Sequence, residues 1–221
     1  VPGLKDITDA VHEAGAAASI QIGHCGNMTH YSTAGQIPIG PSSGINMYAY
    51  TPVRRMRKDE IRQVASDFGR AIHTAHEAGF DCVEVHAGHG YLISQFLSPY
   101  TNHRRDEYGG SLDNRMRFMR MCMDEVMEAA AKTGTSILVK HNMEDGFKSG
   151  IQIPESIEIA KVIESYGVDG IVLSSGFVSK APMAVMRGLI PIYTMSYYMP
   201  LWLRYFVRWF GPLMIQQFPF E

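Results

Sequence analysis

The 221 residues include 20 Lys and Arg against 22 Asp and Glu, a net charge of −2, with 46% hydrophobic and 19% charged residues. That balance gives no general field for nucleic acid or an anionic membrane and is not that of a disordered chain, so one α/β domain acting on small molecules is expected. Cys25, Cys82 and Cys122 are odd in number, far apart and without C-x-x-C spacing, which indicates neither a disulfide framework nor a thiolate metal site and fits a reducing cytoplasm. No basic segment followed by an apolar one opens the chain, so no signal peptide is read.

In chain order, Leu4, Ile7, Val11 and Ala14 recur at helical spacing and Gly15 follows where a left-handed cap is wanted, predicting a helix over 1–14. Residues 17–22 read as a short strand ending in Gln21, Gly23 and His24. The stretch 27–52 is rich in Gly, Pro, Ser and Tyr and reads as a long loop covering a pocket. A helix follows over 58–78, with Ile61, Val64, Ala65, Phe68, Ile72 and Ala75 as its apolar stripe and Gly79 closing it. His73 and His76 lie three apart on it, but without carboxylate or cysteine support they read as a solvated face, and no metal site is assigned.

Residues 82–85 have the length and β-branched content of a strand covered on both faces, and it ends abruptly in His86, His89 and Tyr91, with Gly88 and Gly90 between them. One buried histidine would be unremarkable. Three such side chains in six residues past a strand make a candidate site. A loop over 94–111 follows, then a helix capped by Asp113 with Phe118, Cys122, Val126 and Ala129 buried, ended by Gly134. A third strand over 136–140 ends in Lys140 and His141. Pro154 suits a first helical turn, with Ile157, Ala160 and Ile163 facing inward, and 170–174 is a fourth strand ending in Ser174 and Ser175.

Strands separated by helices predict a parallel sheet with right-handed crossovers. In each unit the polar residues gather at the strand's C-terminal end, the face where such folds bind ligands. From Phe177 onward Met, Tyr, Trp, Phe and Pro crowd the chain. Arg204, Arg208 and the prolines at 191, 200 and 212 interrupt any transmembrane span; 201–215 as a basic amphipathic helix lying on a bilayer is the alternative, and 177–221 is read in preference as an aromatic insertion packed over the barrel or another subunit.

His86-Ala87-Gly88-His89-Gly90-Tyr91-Leu92, then Gln95-Phe96-Leu97-Ser98-Pro99 and Asn102, resembles the Old Yellow Enzyme family of FMN-dependent oxidoreductases. Arg104, Asp106-Glu107-Tyr108-Gly109-Gly110-Ser111 and Asn114-Arg115 continue the likeness. Gln21 with His24-Cys25-Gly26 is similar to its Q-x-x-H-x-G segment, and Pro41-Ser42-Ser43 to its P-S turn. The likeness covers 1–176, and its texture is closest to 2,4-dienoyl-CoA reductases, 2-enoate reductases and bile-acid NADH:flavin oxidoreductases. The last of these have an insertion similar to the tail.

The resemblance implies an incomplete (β/α)8 TIM barrel, about its third to sixth strand units, over 1–176. It implies FMN, with NADH or NADPH as reductant and a small-molecule alkene as substrate: an enoate, an enoyl-CoA or an unsaturated ketone. Tyr91 matches the proton donor, and His86 and His89 the pair gripping the substrate's carbonyl oxygen. Gln21, Lys140, His24 and Ser174 are the cofactor-binding candidates, Lys140 standing where the family usually has Arg, which keeps the charge and loses the bidentate fork. An iron-sulfur cluster would belong to a longer parent protein. A homo-oligomer is left open; nucleic acid and membrane are not expected partners. The rivals are a flavin-free barrel lyase or aldolase using Lys140 as a Schiff-base nucleophile, and a truncated, non-catalytic module binding partners or membrane surfaces through its tail.

Overall fold

The computed structural model describes residues 1–46, 51–181 and 201–214. Helix α1 (Pro2–Glu13) begins on a proline, whose missing N–H costs nothing in a first turn, and leads to strand β1 (Ser19–Ile22). The segment expected as a loop holds a short helix, α2 (Tyr31–Ala34), and strands β2 (Ile39–Gly40), β3 (Gly44–Asn46) and β4 (Thr51–Arg55), paired in a small sheet of order β2-β4-β3. Then follow α3 (Lys58–Glu77), β5 (Cys82–Ala87), α4 (Leu92–Leu97), α5 (Leu112–Thr133), β6 (Ser136–Asn142), α6 (Ile153–Ser165), β7 (Gly170–Ser174) and α7 (Leu201–Met214).

The main sheet runs β1-β5-β6-β7, parallel throughout. Its register pairs Gln21 with Glu84, His86 with Lys140, and Asn142 with Ser174. Because side chains alternate along a strand, Val83, Val85, Ile137 and Val139 face the helices and are 0–1% exposed, while Gln21, Glu84, His86, Lys140, Asn142 and Ser174 share the opposite face. This is the sheet of a partial β/α barrel, and its polar face is the inner one. The strand expected to be covered on both faces is therefore two-sided, with Glu84 carried on the inner side.

The core lies between sheet and helices. All six stripe positions expected on α3 are buried, as are Phe118, Cys122, Val126 and Ala129 on α5, joined there by Met116, Met119 and Met123. Each large side chain so buried contributes roughly 1.5–3 kcal/mol.

Four expectations need correction. The cap of α5 is Ser111, whose hydroxyl accepts from Asn114 N–H at 3.3 Å; Asp113 lies inside the first turn, where its charge suits the helix dipole and it pairs with Arg120. The 94–111 loop begins late, because α4 occupies its first residues. On α1 it is Thr8 that is buried, with its hydroxyl donating to Ala78 O at 2.5 Å, while Ile7 is 56% exposed. On α6 the buried residues are Ser156, Ile159 and Ile163, while Ile157 is 51% exposed. Each helix leads into an edge strand of the main sheet, β1 or β7, beside which no further strand pairs among the described residues. Helix α7 occupies the segment weighed as an amphipathic helix and exposes Trp202, Tyr205 and Trp209. Of the rest of the expected insertion, 177–181 is described, with Phe177 fully buried, and 182–200 and 215–221 lie outside the described residues. Among these residues no helix is long and apolar enough to cross a membrane.

Candidate active site

The inner face of β5 brings His86 to the mouth of the sheet, where the ring is almost covered. The chain then turns sharply. A Cβ on Gly88 would stand 2.7 Å from Asn142 Oδ1, and one on Gly90, at φ +81°, 2.4 Å from the Phe177 ring, so both positions need glycine. His89 between them has φ 58°, a left-handed conformation that no other non-glycine among the described residues adopts. This turn folds the His89 ring back against His86, the centroids 5.0 Å apart and nearly perpendicular. Tyr91, the N-cap of α4, sits with its ring 4.8 Å from His86. The three residues singled out in the sequence thus form one cluster. Ser174, at the end of β7, joins it through a 2.5 Å contact between its hydroxyl and His89 Nε2.

Gln21 and Lys140 reach the same face from β1 and β6, and both donate to one carboxylate. Lys140 Nζ lies 2.8 Å from Glu84 Oε1, and Gln21 Nε2 donates to the same oxygen at 2.5 Å. Burial pushes the Glu84 carboxyl up, but the hydrogen bonds from Lys140 and Gln21 and the lysine's charge outweigh it, and its pKa is lowered. The imidazoles feel the reverse. Burial, then the charges of His89 and Lys140, bring His86 down to about 4, and burial and Lys140 lower His89, with Glu84 opposing in both cases. Both rings are neutral at pH 7, so each offers one N–H and one lone pair. Gly88 N–H points at His86 Nδ1 from 3.4 Å, which favours the proton on Nε2.

His24 stands apart. It packs in a small hollow with Val64, Asp67 and Phe68 of α3, its Nδ1 accepting from Gly26 N–H at 2.9 Å, and burial lowers its pKa against the pull of Asp67. His141, one residue past Lys140, faces the helices and meets Ser156 Oγ at 2.9 Å. Neither belongs to the cluster. Among the described residues no group of three or more His, Cys, Asp or Glu could hold a metal ion.

Residues 1–188 match the family described as NADH:flavin oxidoreductase / NADH oxidase. The chain belongs to that family. It is similar to the 4,4'-dithiodibutanoate disulfide reductase of Rhodococcus erythropolis, 36% identical over 222 residues that take in all of this chain and 55% of the relative. It is also similar to the NADPH dehydrogenase of Bacillus subtilis (strain 168), 37% identical over 188 residues, 85% of this chain and 54% of the relative. The solved old yellow enzyme homologue from Zymomonas mobilis superposes with a TM-score of 0.71 at 32% identity, covering 79% of this chain and 52% of the other. The chain therefore spans about half the length of the relatives it matches.

The inner face suits the flavin implied by this family. A flavin's pyrimidine edge accepts hydrogen bonds at its carbonyl oxygens and N1; the ammonium of Lys140 has three N–H groups, of which Glu84 engages one, and Gln21 is exposed beside it. Much of the rest of the family motif serves architecture. Buried Arg104 donates to Pro41 O and Met56 O and pairs with Asp106, whose carboxyl is held at about 2; burial opposes the shift, and the Arg104 and Tyr108 N–H hydrogen bonds drive it. Asn102 donates to Phe96 O and Tyr108 O, and Gln95 ties Gly90 O, Cys25 O and Asn27 N together. Glu84 is the site residue missed from sequence; its signal was its place two residues before His86, on the same side of the strand.

Proposed function

We propose that the protein carrying this chain is an FMN-dependent oxidoreductase, in which a flavin reduced by NADH or NADPH reduces an alkene activated by a neighbouring carbonyl. The observation supporting this reading is that His86, His89 and Tyr91 converge with Gln21, Lys140 and Ser174 on one face at the C-terminal ends of four parallel strands. Gln21, Lys140 and Ser174 are the residues proposed to face the cofactor; His24, packed in the hollow against α3, is not among them. When bound, the flavin supplies the hydride for the alkene's β-carbon. His86, neutral and protonated on Nε2, and His89 hold the carbonyl oxygen, where their N–H groups stabilise the negative charge that develops there. For His89 to donate from Nδ1, the Ser174 hydroxyl must donate to Nε2, which the 2.5 Å contact allows. Tyr91 delivers the proton to the α-carbon.

The lyase reading of Lys140 is weaker, since its ammonium is engaged by a carboxylate and not set in the apolar pocket that activates a Schiff-base lysine. All three cysteines are free thiols, in keeping with a cytoplasmic setting, and residues 1–176 are read as the barrel portion with 177–221 as an addition to it. A disulfide as electron acceptor is the second reading, supported by the relative that matches the whole chain, tail included.

Tyr91→Phe tests the assignment. Stopped-flow measurement on the FMN-loaded full-length protein should show alkene reduction slowed about a hundredfold to ten-thousandfold, with flavin reduction by the nicotinamide nearly unchanged. Equal slowing of both half-reactions, or of neither, would refute the role of Tyr91.

A further inference from the structure

His89 is the strained member of the cluster, and its strain has an identifiable brace. At φ 58° the residue depends on its surroundings to stay in the left-handed region. Its N–H donates to Asn142 Oδ1 at 3.1 Å. On the other side, Asn142 Nδ2 donates to Asp145 Oδ1 at 3.1 Å and to Gly176 O at 2.7 Å. Both of those partners only accept, and His89 N–H only donates, so the amide has a single satisfied orientation. Asp145 is fixed in turn by Ser98 Oγ at 2.6 Å and Ile151 N–H at 2.9 Å, both meeting its second oxygen. Asn142, Asp145 and Ser98 are all fully buried. In the register of the sheet, Asn142 pairs with Ser174, so neighbouring strand ends hold the backbone and the ring of the same histidine.

We propose that Asn142, braced by Asp145, is a positioning residue that sets the backbone of His89 and so aims its imidazole into the site. The proposal rests on the reading of His89 as a substrate-oxygen ligand. Gly88 belongs to the same device: a Cβ there would meet Asn142 Oδ1 at 2.7 Å and push the amide off His89 N–H. Neither Asn142 nor Asp145 reaches the reacting atoms in this scheme. Their effect passes through His89, which lies among His86, Lys140 and Glu84.

The test uses Asn142→Ala and, independently, Gly88→Ala, which keeps Asn142 but displaces it. In the FMN-loaded full-length protein labelled with 15N-histidine, long-range 1H–15N spectra over a pH series report the tautomer and pKa of each imidazole. Both variants should let the His89 ring swing toward solvent, so that its lowered pKa returns toward the ordinary 6.5, while His86, lowered first by its own burial, rises by less. Alkene reduction should slow by about tenfold to a hundredfold, as for a misplaced catalytic group, and combining either variant with His89→Ala should add little further loss. An unchanged His89 titration in both variants overturns the proposal, as does a full multiplication of the losses in the double variants. If His89→Ala itself leaves alkene reduction intact, the oxygen-ligand reading fails instead, and the spectra still decide whether Asn142 positions the ring.

Discussion

Lowering the pH from 7 to 4 should remove a large part of this fold's stability, through two imidazoles buried in the neutral form. Burial is the largest cause for both His86 and His141, each brought down to about 4 from 6.5. As pH falls below 6.5 the unfolded chain takes up these protons and the folded chain does not, so stability complete above 6.5 is lost progressively down to about 4. A depression of roughly 2.5 units is worth about 3.4 kcal/mol, and the two together about 7 kcal/mol, against the 5–15 kcal/mol typical of a whole domain. His89, also lowered, acts in the same direction. Asp145 opposes, since burial raises its pKa and the folded form gains stability as the group protonates. Glu60 and Asp106, held at about 2, lose their contributions mainly below pH 4.5, outside this window. His141→Gln separates the terms, because His141 lies away from the site and a glutamine amide can donate to Ser156 Oγ as the ring does. Urea unfolding of the full-length protein at closely spaced pH values is the assay. Between pH 6 and 4.5 the wild type should lose about 2.3 kcal/mol per pH unit through these two groups, and His141→Gln about half of that. A wild-type stability that is flat from pH 7 to 4.5, or a variant that keeps the full slope, would refute the burial of neutral imidazoles.

Glu84→Gln should lower unfolding free energy by about 1.5–3 kcal/mol, the worth of a hydrogen bond to a charged group, because the carboxylate holding Lys140 and Gln21 together is lost; an unfolding free energy unchanged within 0.5 kcal/mol, read as about the noise of a surface substitution, would mean that it holds neither. Residues 1–221 prepared alone should self-associate in sedimentation and bind FMN orders of magnitude more weakly than the full-length protein, since β1 and β7 expose unpaired edges; a monomer that titrates tightly and stoichiometrically with FMN would contradict this.

Much of the fold was legible because its signals are local. Helices α3 and α5 announce themselves by period and by the glycine that follows each, and the ends of β5 and β7 by polar residues after apolar runs. The cluster of His86, His89 and Tyr91 was legible for the same reason, being six consecutive residues around one turn. Glu84 was not, because a single carboxylate inside a run of valines reads as part of a strand buried on both faces until the pairing of β5 shows which side it takes. Asn142 and Asp145 were further out of reach. Their partners, His89 and Ser98, lie 53 and 47 positions away in the chain, and no period relates them.

The misplaced stripes on α1 and α6 share one cause with the division of labour inside the site. Ile7 and Ile157 were expected inside by their spacing and are exposed, each on a helix leading into an edge strand, β1 or β7, of the described sheet. The same boundary runs through the functional residues. His86, His89 and Tyr91 come from β5 and the turn after it, at the centre of the sheet, and Asn142 braces them from β6, with core packed on the helix side of both strands. Gln21 and Ser174 come from β1 and β7, the two edges, each paired on one side only among the described residues. The residues proposed to hold the substrate oxygen and give the proton are therefore fixed by contacts within this chain. Of the residues proposed to face the flavin, Lys140 is likewise held within the chain, on β6 by Glu84, while Gln21 and Ser174 stand at the edges of the described sheet, so their alignment would depend on what pairs with β1 and β7, and loss of that pairing should weaken cofactor binding before it disturbs the histidine and tyrosine cluster.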